Sequence, residues 1–139
     1  MSKAVLVVED EVGVRRVLAR LLGDRGFRTI EAANGREAIE RLAEETPAAI
    51  IIDLFMPIMS GIELLKALRR NAYYKKIPTI VMTGSGVAEV WGVPTVMKPN
   101  IEGIPDMVEA MILTAAAPAD AQAGVPRGAM IPEASSAIQ

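Results

Sequence analysis

Ala4 to Val8 is an unbroken apolar run rich in β-branched residues, the pattern expected of a strand covered on both faces of a parallel sheet. Beyond it, Val12, Val17, Leu18, Leu21 and Leu22 recur at helical spacing until Gly23 and Gly26 break the pattern. The alternation then repeats. Arg28 to Ala32 reads as a strand, Asn34-Gly35 opens a helix carrying Ala38, Ile39 and Leu42 that stops before Pro47, and Ala49 to Ile52 is a third strand. Ser60 can cap a third helix containing Ile62, Leu64, Leu65 and Leu68, and Pro78 to Met82 supplies a fourth strand. Val93 to Met97 reads as a fifth strand and Pro105 to Ala116 as a last helix with proline near its start.

Strands alternating with helices predict right-handed parallel crossovers and an open α/β sheet with helices on both sides. Ligands of such sheets bind beyond the carboxyl ends of the strands, so those ends are the positions to inspect. From Pro118 onward the pattern is lost: alanine, proline, glycine and serine make up 13 of the last 22 residues, with no aromatic. Such a tail cannot bury enough surface to order itself. The expected organisation is one domain over residues 1–117 followed by a flexible Ala/Pro-rich tail over 118–139, which reads as a chain end.

Composition narrows the chemistry. With 139 residues and 51% hydrophobic content the chain can bury the core of one ordinary domain. Its 15 basic and 17 acidic residues give a net charge of −2, without the concentrated positive field that nucleic acid binding requires. The absence of cysteine and histidine excludes a disulfide scaffold, thiol catalysis, a histidine base and the usual zinc ligands. Met1-Ser2-Lys3 runs straight into the first strand and lacks the layout of a signal peptide. No apolar run approaches the roughly 20 residues that span a bilayer, so a cytoplasmic protein without membrane contact is expected.

Carboxylates, lysines and hydroxyls remain. Glu9 and Asp10 lie at the carboxyl end of the first strand, Asp53 at the end of the third, Thr83 just past the fourth and Lys98 just past the fifth. Carboxylates gathered in one crevice repel one another unless a cation sits among them. A hard divalent ion answers this, and magnesium takes a few carboxylate oxygens while keeping several waters. Asp10 and Asp53 are candidate direct ligands, Glu9 a holder of a bound water, and Lys98 and Thr83 candidate partners for phosphoryl oxygens. Asp53 is left as nucleophile.

These residues and their contexts resemble the receiver domain of response regulators in two-component signalling. The stretches that carry the likeness are Val5-Leu-Val-Val-Glu-Asp-Glu11, Ile51-Ile-Asp-Leu-Phe-Met-Pro-Ile-Met-Ser-Gly61, Val81-Met-Thr-Gly84 and Met97-Lys-Pro99, with weaker support from Asn34-Gly-Arg-Glu-Ala38. The resemblance implies a flavodoxin-like doubly wound five-stranded parallel sheet of order 2-1-3-4-5. It implies that Asp53 accepts a phosphoryl group, with Mg2+ as cofactor, from a sensor histidine kinase or a histidine phosphotransfer protein. Glu9 and Asp10 would form the acidic pocket, Thr83 the switch hydroxyl and Lys98 the phosphate-binding lysine, and Lys98-Pro99 would be a cis peptide. With no effector segment in the sequence, output is expected to pass to a downstream protein target.

Each residue also has a plainer reading. Glu9, Asp10 and Glu11 can simply cap the first helix, Asp53 can be a loop acid, Thr83 a turn residue and Lys98 a solvated charge. Their joint placement on one sheet edge favours the site. Two departures stand out. Only 15 positions separate Thr83 from Lys98, roughly two helical turns fewer than receivers usually have, so the family's fourth helix is expected to be shortened or missing. Thr95 stands where the family often has a switching aromatic, and Trp91, in the shortened segment, is expected to share in the altered output region. A bulky Phe55 two residues after Asp53 is expected to hinder water attack on an acyl phosphate. The rival functions are a phosphorylation-independent protein-binding module of the same fold and a magnesium-dependent phosphohydrolase.

Overall fold

In a computed structural model of the protein, residues 3–84 and 92–115 are described. Strands β1 (Ala4–Val8), β2 (Arg28–Ala32), β3 (Ala49–Asp53), β4 (Thr79–Thr83) and β5 (Thr95–Met97) form one parallel sheet in the order β2-β1-β3-β4-β5. This is the flavodoxin-like order implied by the resemblance. Helices α1 (Val12–Gly23), α2 (Gly35–Glu44), α3 (Gly61–Arg69) and α4 (Ile104–Ala115) follow β1, β2, β3 and β5. Between β4 and β5 the described residues hold no helix. The segment 85–91, where a shortened helix and Trp91 were expected, lies outside the described residues, as does the tail 118–139.

Side chains of a strand alternate between faces, so a strand covered on both sides must be apolar at every position. β1 and β3 are buried throughout. Leu6, Val8, Ile50 and Ile52 pack on one face with Leu42 of α2 and Leu64 and Leu68 of α3. Val5, Val7, Ile51 and Met82 pack on the other with Leu18 and Leu22 of α1 and Val108 and Ile112 of α4. Each fully buried Leu or Ile contributes about 1.5–3 kcal/mol from burial, and the two layers pin β1 and β3 at the centre of the sheet.

Helix starts follow the expected chemistry. Ser60 accepts a hydrogen bond from the Glu63 N–H at 3.2 Å, and Asn34 accepts one from the Glu37 N–H at 2.9 Å while Glu37 accepts from the Ala33 N–H. A short 3-10 turn, Tyr74–Lys76, was not expected from the sequence. It is set by Asn71, whose side chain accepts from the N–H groups of Tyr73 and Tyr74, while Tyr74 is buried against the core.

The loop from β3 to α3 carries a strained residue. Ile58 has φ +69°, a left-handed conformation that costs most for a β-branched side chain. A Met59 N–H to Pro57 carbonyl bond of 2.8 Å closes a three-residue turn around it, and its side chain is 76% exposed, so burial offsets little of the strain. Ile58→Asn should stabilise the protein by about 1 kcal/mol, because asparagine tolerates this conformation. A urea midpoint no higher than that of the native protein would refute the strain.

Candidate functional site

The five candidate residues arrive at one sheet edge from four strands, Glu9 and Asp10 together from the end of β1. Glu9 follows β1, and its N–H donates to the carbonyl of Ala32 at 3.0 Å, extending the β1–β2 ladder by one residue. Asp53 and Thr83 are the last residues of β3 and β4, one position further into the strands than the sequence pattern placed them. Lys98 follows β5, its N–H bonded to the Thr83 carbonyl at 2.9 Å, and the Lys98-Pro99 peptide is cis.

Glu9, Asp10 and Asp53 can each offer an oxygen such that all three lie within 4.8 Å of one another. Glu9 and Asp53 are buried and Asp10 is exposed. The Lys98 ammonium donates to Glu9 Oε1 at 3.0 Å and Asp53 Oδ2 at 3.3 Å, with Glu11 Oε1 at 3.5 Å. Glu9 Oε2 in turn accepts from the Glu11 N–H at 3.1 Å. Glu11 as a third carboxylate on Lys98 was not foreseen, although the acidic run Glu9-Asp10-Glu11 contains it.

The plain capping reading of these acids does not hold. Glu11 stands at the N-cap of α1 but makes no capping bond with its side chain, and the first turn of the helix has no acid. Thr83 is fully buried at the crevice. Phe55 is 53% exposed, and its N–H points at Asp53 Oδ1, 3.5 Å away. Thr95 lies in β5 with its hydroxyl donating to the Val93 carbonyl at 3.1 Å, so the position where the family often has an aromatic is held by a local bond.

Burial pushes Glu9 from the ordinary carboxylate value of 4.5 up to about 7, with the Asp53 carboxylate adding to the rise and the Glu11 N–H and Lys98 opposing it. Burial works against the Lys98 ammonium too, but its bond to Glu9 and the charges of Glu9 and Asp53 prevail and raise its pKa. Between the two Glu9 values the folded state binds more protons than the unfolded, so stability falls as pH rises through this window. The metal-free protein should therefore lose on the order of 2 kcal/mol from this group between pH 5 and pH 8. Urea midpoints of the native protein and Glu9→Gln test this, since matching pH profiles would clear Glu9 of the effect.

The donor set fits a hard divalent ion, because three carboxylates from two strand ends face one point and a buried acid among them resists ionising without more positive charge. Among the described residues no helix is long and apolar enough to cross a membrane.

Comparison with known proteins agrees. A family model described as the response regulator receiver domain matches residues 5–92. Over 89 residues the chain is 35% identical to the phosphate regulon transcriptional regulatory protein PhoB of Escherichia coli, covering 64% of this chain and 39% of that protein. It thus spans about two fifths of the length of that relative. It is also 35% identical over 86 residues to the sporulation initiation phosphotransferase F of Bacillus subtilis, covering 62% of this chain and 68% of that protein. The response regulator protein TrrA of Thermotoga maritima, solved in complex with Mg(2+)-BeF, superposes with a TM-score of 0.71 at 27% identity, covering 78% of this chain and 98% of that one. Matched by the family model over residues 5–92, well over half of its length, the chain belongs to the response regulator receiver domain family.

Proposed function

We propose that the protein is a phosphorylation-activated signalling switch in which Asp53 accepts a phosphoryl group from a sensor histidine kinase or histidine phosphotransfer protein. The observation that carries this reading is Lys98 bonded to both Glu9 and Asp53, with Asp10 close by on the open side of the same crevice. In the reaction, an Asp53 carboxylate oxygen attacks the phosphorus of a phosphohistidine. The O–P bond forms as the N–P bond breaks, and the electron pair stays on the imidazole nitrogen. Magnesium, held by Asp10 and Asp53 directly and by Glu9 through a water, would supply the positive charge that offsets three carboxylates and the incoming phosphoryl oxygens. Lys98 is positioned to exchange one of its carboxylate partners for a phosphoryl oxygen, and Thr83 to offer its hydroxyl.

Because the phosphoryl group ends on the protein itself, the chain is an acceptor that assists its own phosphorylation and dephosphorylation, not an enzyme acting on outside substrates. The donor has a natural approach beside Lys98. A groove of 510 Å³ lined by Glu11, Val14, Val17, Lys98, Pro99 and Ile101 opens there, and Val12 and Val17 stand half exposed on α1. Output then passes to a downstream protein target through the region between Thr83 and Lys98. A receiver over residues 1–117 with a tail over 118–139, acting in the cytoplasm, is part of the same proposal. The constitutive docking module is not favoured, since all five residues are brought to one crevice and a docking fold has no need of them.

Incubation with magnesium and a small acyl phosphate, followed by mass spectrometry, is the test. A stoichiometric adduct on Asp53, absent in Asp53→Asn, is expected. No adduct would return the docking module, and sustained turnover of phosphate esters would return the hydrolase. Phe55→Asn should release the phosphoryl group several-fold faster, since a polar side chain admits and orients the attacking water where the ring excludes it. Equal decay rates would remove Phe55 from the mechanism.

A further inference from the structure

Arg15, in the first turn of α1, is 15% exposed along its side chain and reaches back over the β1–α1 turn. Its Nη1 donates to the backbone carbonyl of Glu9 at 2.7 Å. Its Nε donates to Glu31 Oε1 of β2 at 2.9 Å. The Glu9 N–H is already bonded to the Ala32 carbonyl of the same strand. Glu9 is therefore tied to β2 at both of its backbone groups, once directly and once through Arg15 and Glu31.

The carbonyl that Arg15 holds belongs to the planar peptide joining Glu9 to Asp10. Holding that carbonyl toward β2 while the Glu9 N–H is bonded to the same strand restrains ψ of Glu9, the torsion that sets where the chain carries Asp10 relative to Glu9. Glu9 has other restraints, from Lys98 and the Glu11 N–H. Asp10 has none of this kind, being exposed and without a side-chain hydrogen bond or ion pair among the described residues. The backbone alone therefore sets the direction of its Cα–Cβ bond, and with it which rotamers reach the pocket.

We propose that Arg15 is a positioning residue of the acidic pocket, fixing the Glu9–Asp10 peptide so that Asp10 faces Glu9 and Asp53 for a divalent cation. The inference rests on the magnesium-dependent reading of the site. It assigns to Arg15 an effect opposite in sign to that of its charge. A guanidinium beside carboxylates repels a divalent ion, so if charge were all that mattered, deleting it would tighten metal binding. As a clamp, its loss frees the peptide, and binding weakens.

Calorimetric titration of the full chain with magnesium separates the two. For Arg15→Met, which keeps much of the aliphatic stem, affinity should fall about tenfold, the size usual for losing an outer partner of a metal site. Arg15→Lys, which keeps the charge but reaches only one of the two acceptors, should fall between Arg15→Met and the native protein. Amide exchange at Glu11 in the metal-free protein should quicken in Arg15→Met, because the turn it closes on Glu9 loosens. If Arg15→Met does not fold, Glu31→Ala takes its place; it removes only the far anchor and should weaken magnesium several-fold. Native-like or tighter magnesium binding in the folded variant overturns the role of Arg15 while leaving the proposed function intact. Failure of the native protein itself to bind magnesium overturns both.

Discussion

Replacing Lys98 by Met should cost the metal-free protein about 3 kcal/mol at pH 8, and magnesium should restore most of the loss. Lys98 is the cation that three carboxylates share, at 3.0, 3.3 and 3.5 Å. Removing one partner of a largely buried ion pair leaves the other uncompensated, which costs a few kcal/mol. Glu9 is the acid most affected, since it is fully buried. With its pKa near 7 in the folded state, it carries charge at pH 8 and mostly loses it at pH 6, so the penalty should shrink as pH is lowered through that range. A divalent ion supplies the missing positive charge, so the variant should bind magnesium at least as well as the native chain while accepting phosphate poorly. Denaturation curves with and without magnesium decide the matter. An equal loss in both would mean that Lys98 acts through the packing of its stem.

Gly61→Ala should destabilise the fold by about 3 kcal/mol or more, the upper range for overpacking, and abolish labelling of Asp53. A Cβ at position 61 would stand 2.0 Å from the carbonyl oxygen of Asp53, 2.8 Å from its carbonyl carbon and 2.7 Å from Ile52 Cγ2. Two of these atoms are backbone of a central strand, so no side-chain rotation relieves the overlap. The Gly61 N–H is also bonded to the Leu54 carbonyl at 3.0 Å, which holds the start of α3 against the strand end that carries the acceptor. Gly13→Ala is the matching control. A Cβ there meets nothing within 4 Å, and alanine in a helix gains roughly 0.5–1 kcal/mol over glycine. If both variants had the same urea midpoint, close packing at Gly61 would not be what sets the acceptor's place.

Ser60 and Gly61 stand at the start of α3 for different reasons. The serine caps α3 as expected, but the glycine is required by an approach between segments that no local pattern records. The same division runs through the site. Glu9, Asp10, Asp53, Thr83 and Lys98 were legible because each follows an apolar strand, and parallel strands deliver their carboxyl ends to one edge. Arg15 was not. In the chain it is one cation on an amphipathic helix, and its bonds to Glu9 and Glu31 exist only because β2 lies beside β1.

Strand and helix boundaries came within two residues of the pattern, since the period of apolar positions is a local property that burial enforces on every element. The chain by itself thus determined its elements, its α/β class and the acids and lysine that meet at the sheet edge. Only the tertiary structure decided how charge is shared among them: that Glu9 is buried and resists ionisation, that Glu11 joins Asp53 and Glu9 on Lys98, and that Arg15 holds the peptide between two acids. The reason is one of range. Apolar periodicity acts between near neighbours along the chain, whereas desolvation and hydrogen bonding depend on which distant segments the sheet brings within about 3 Å.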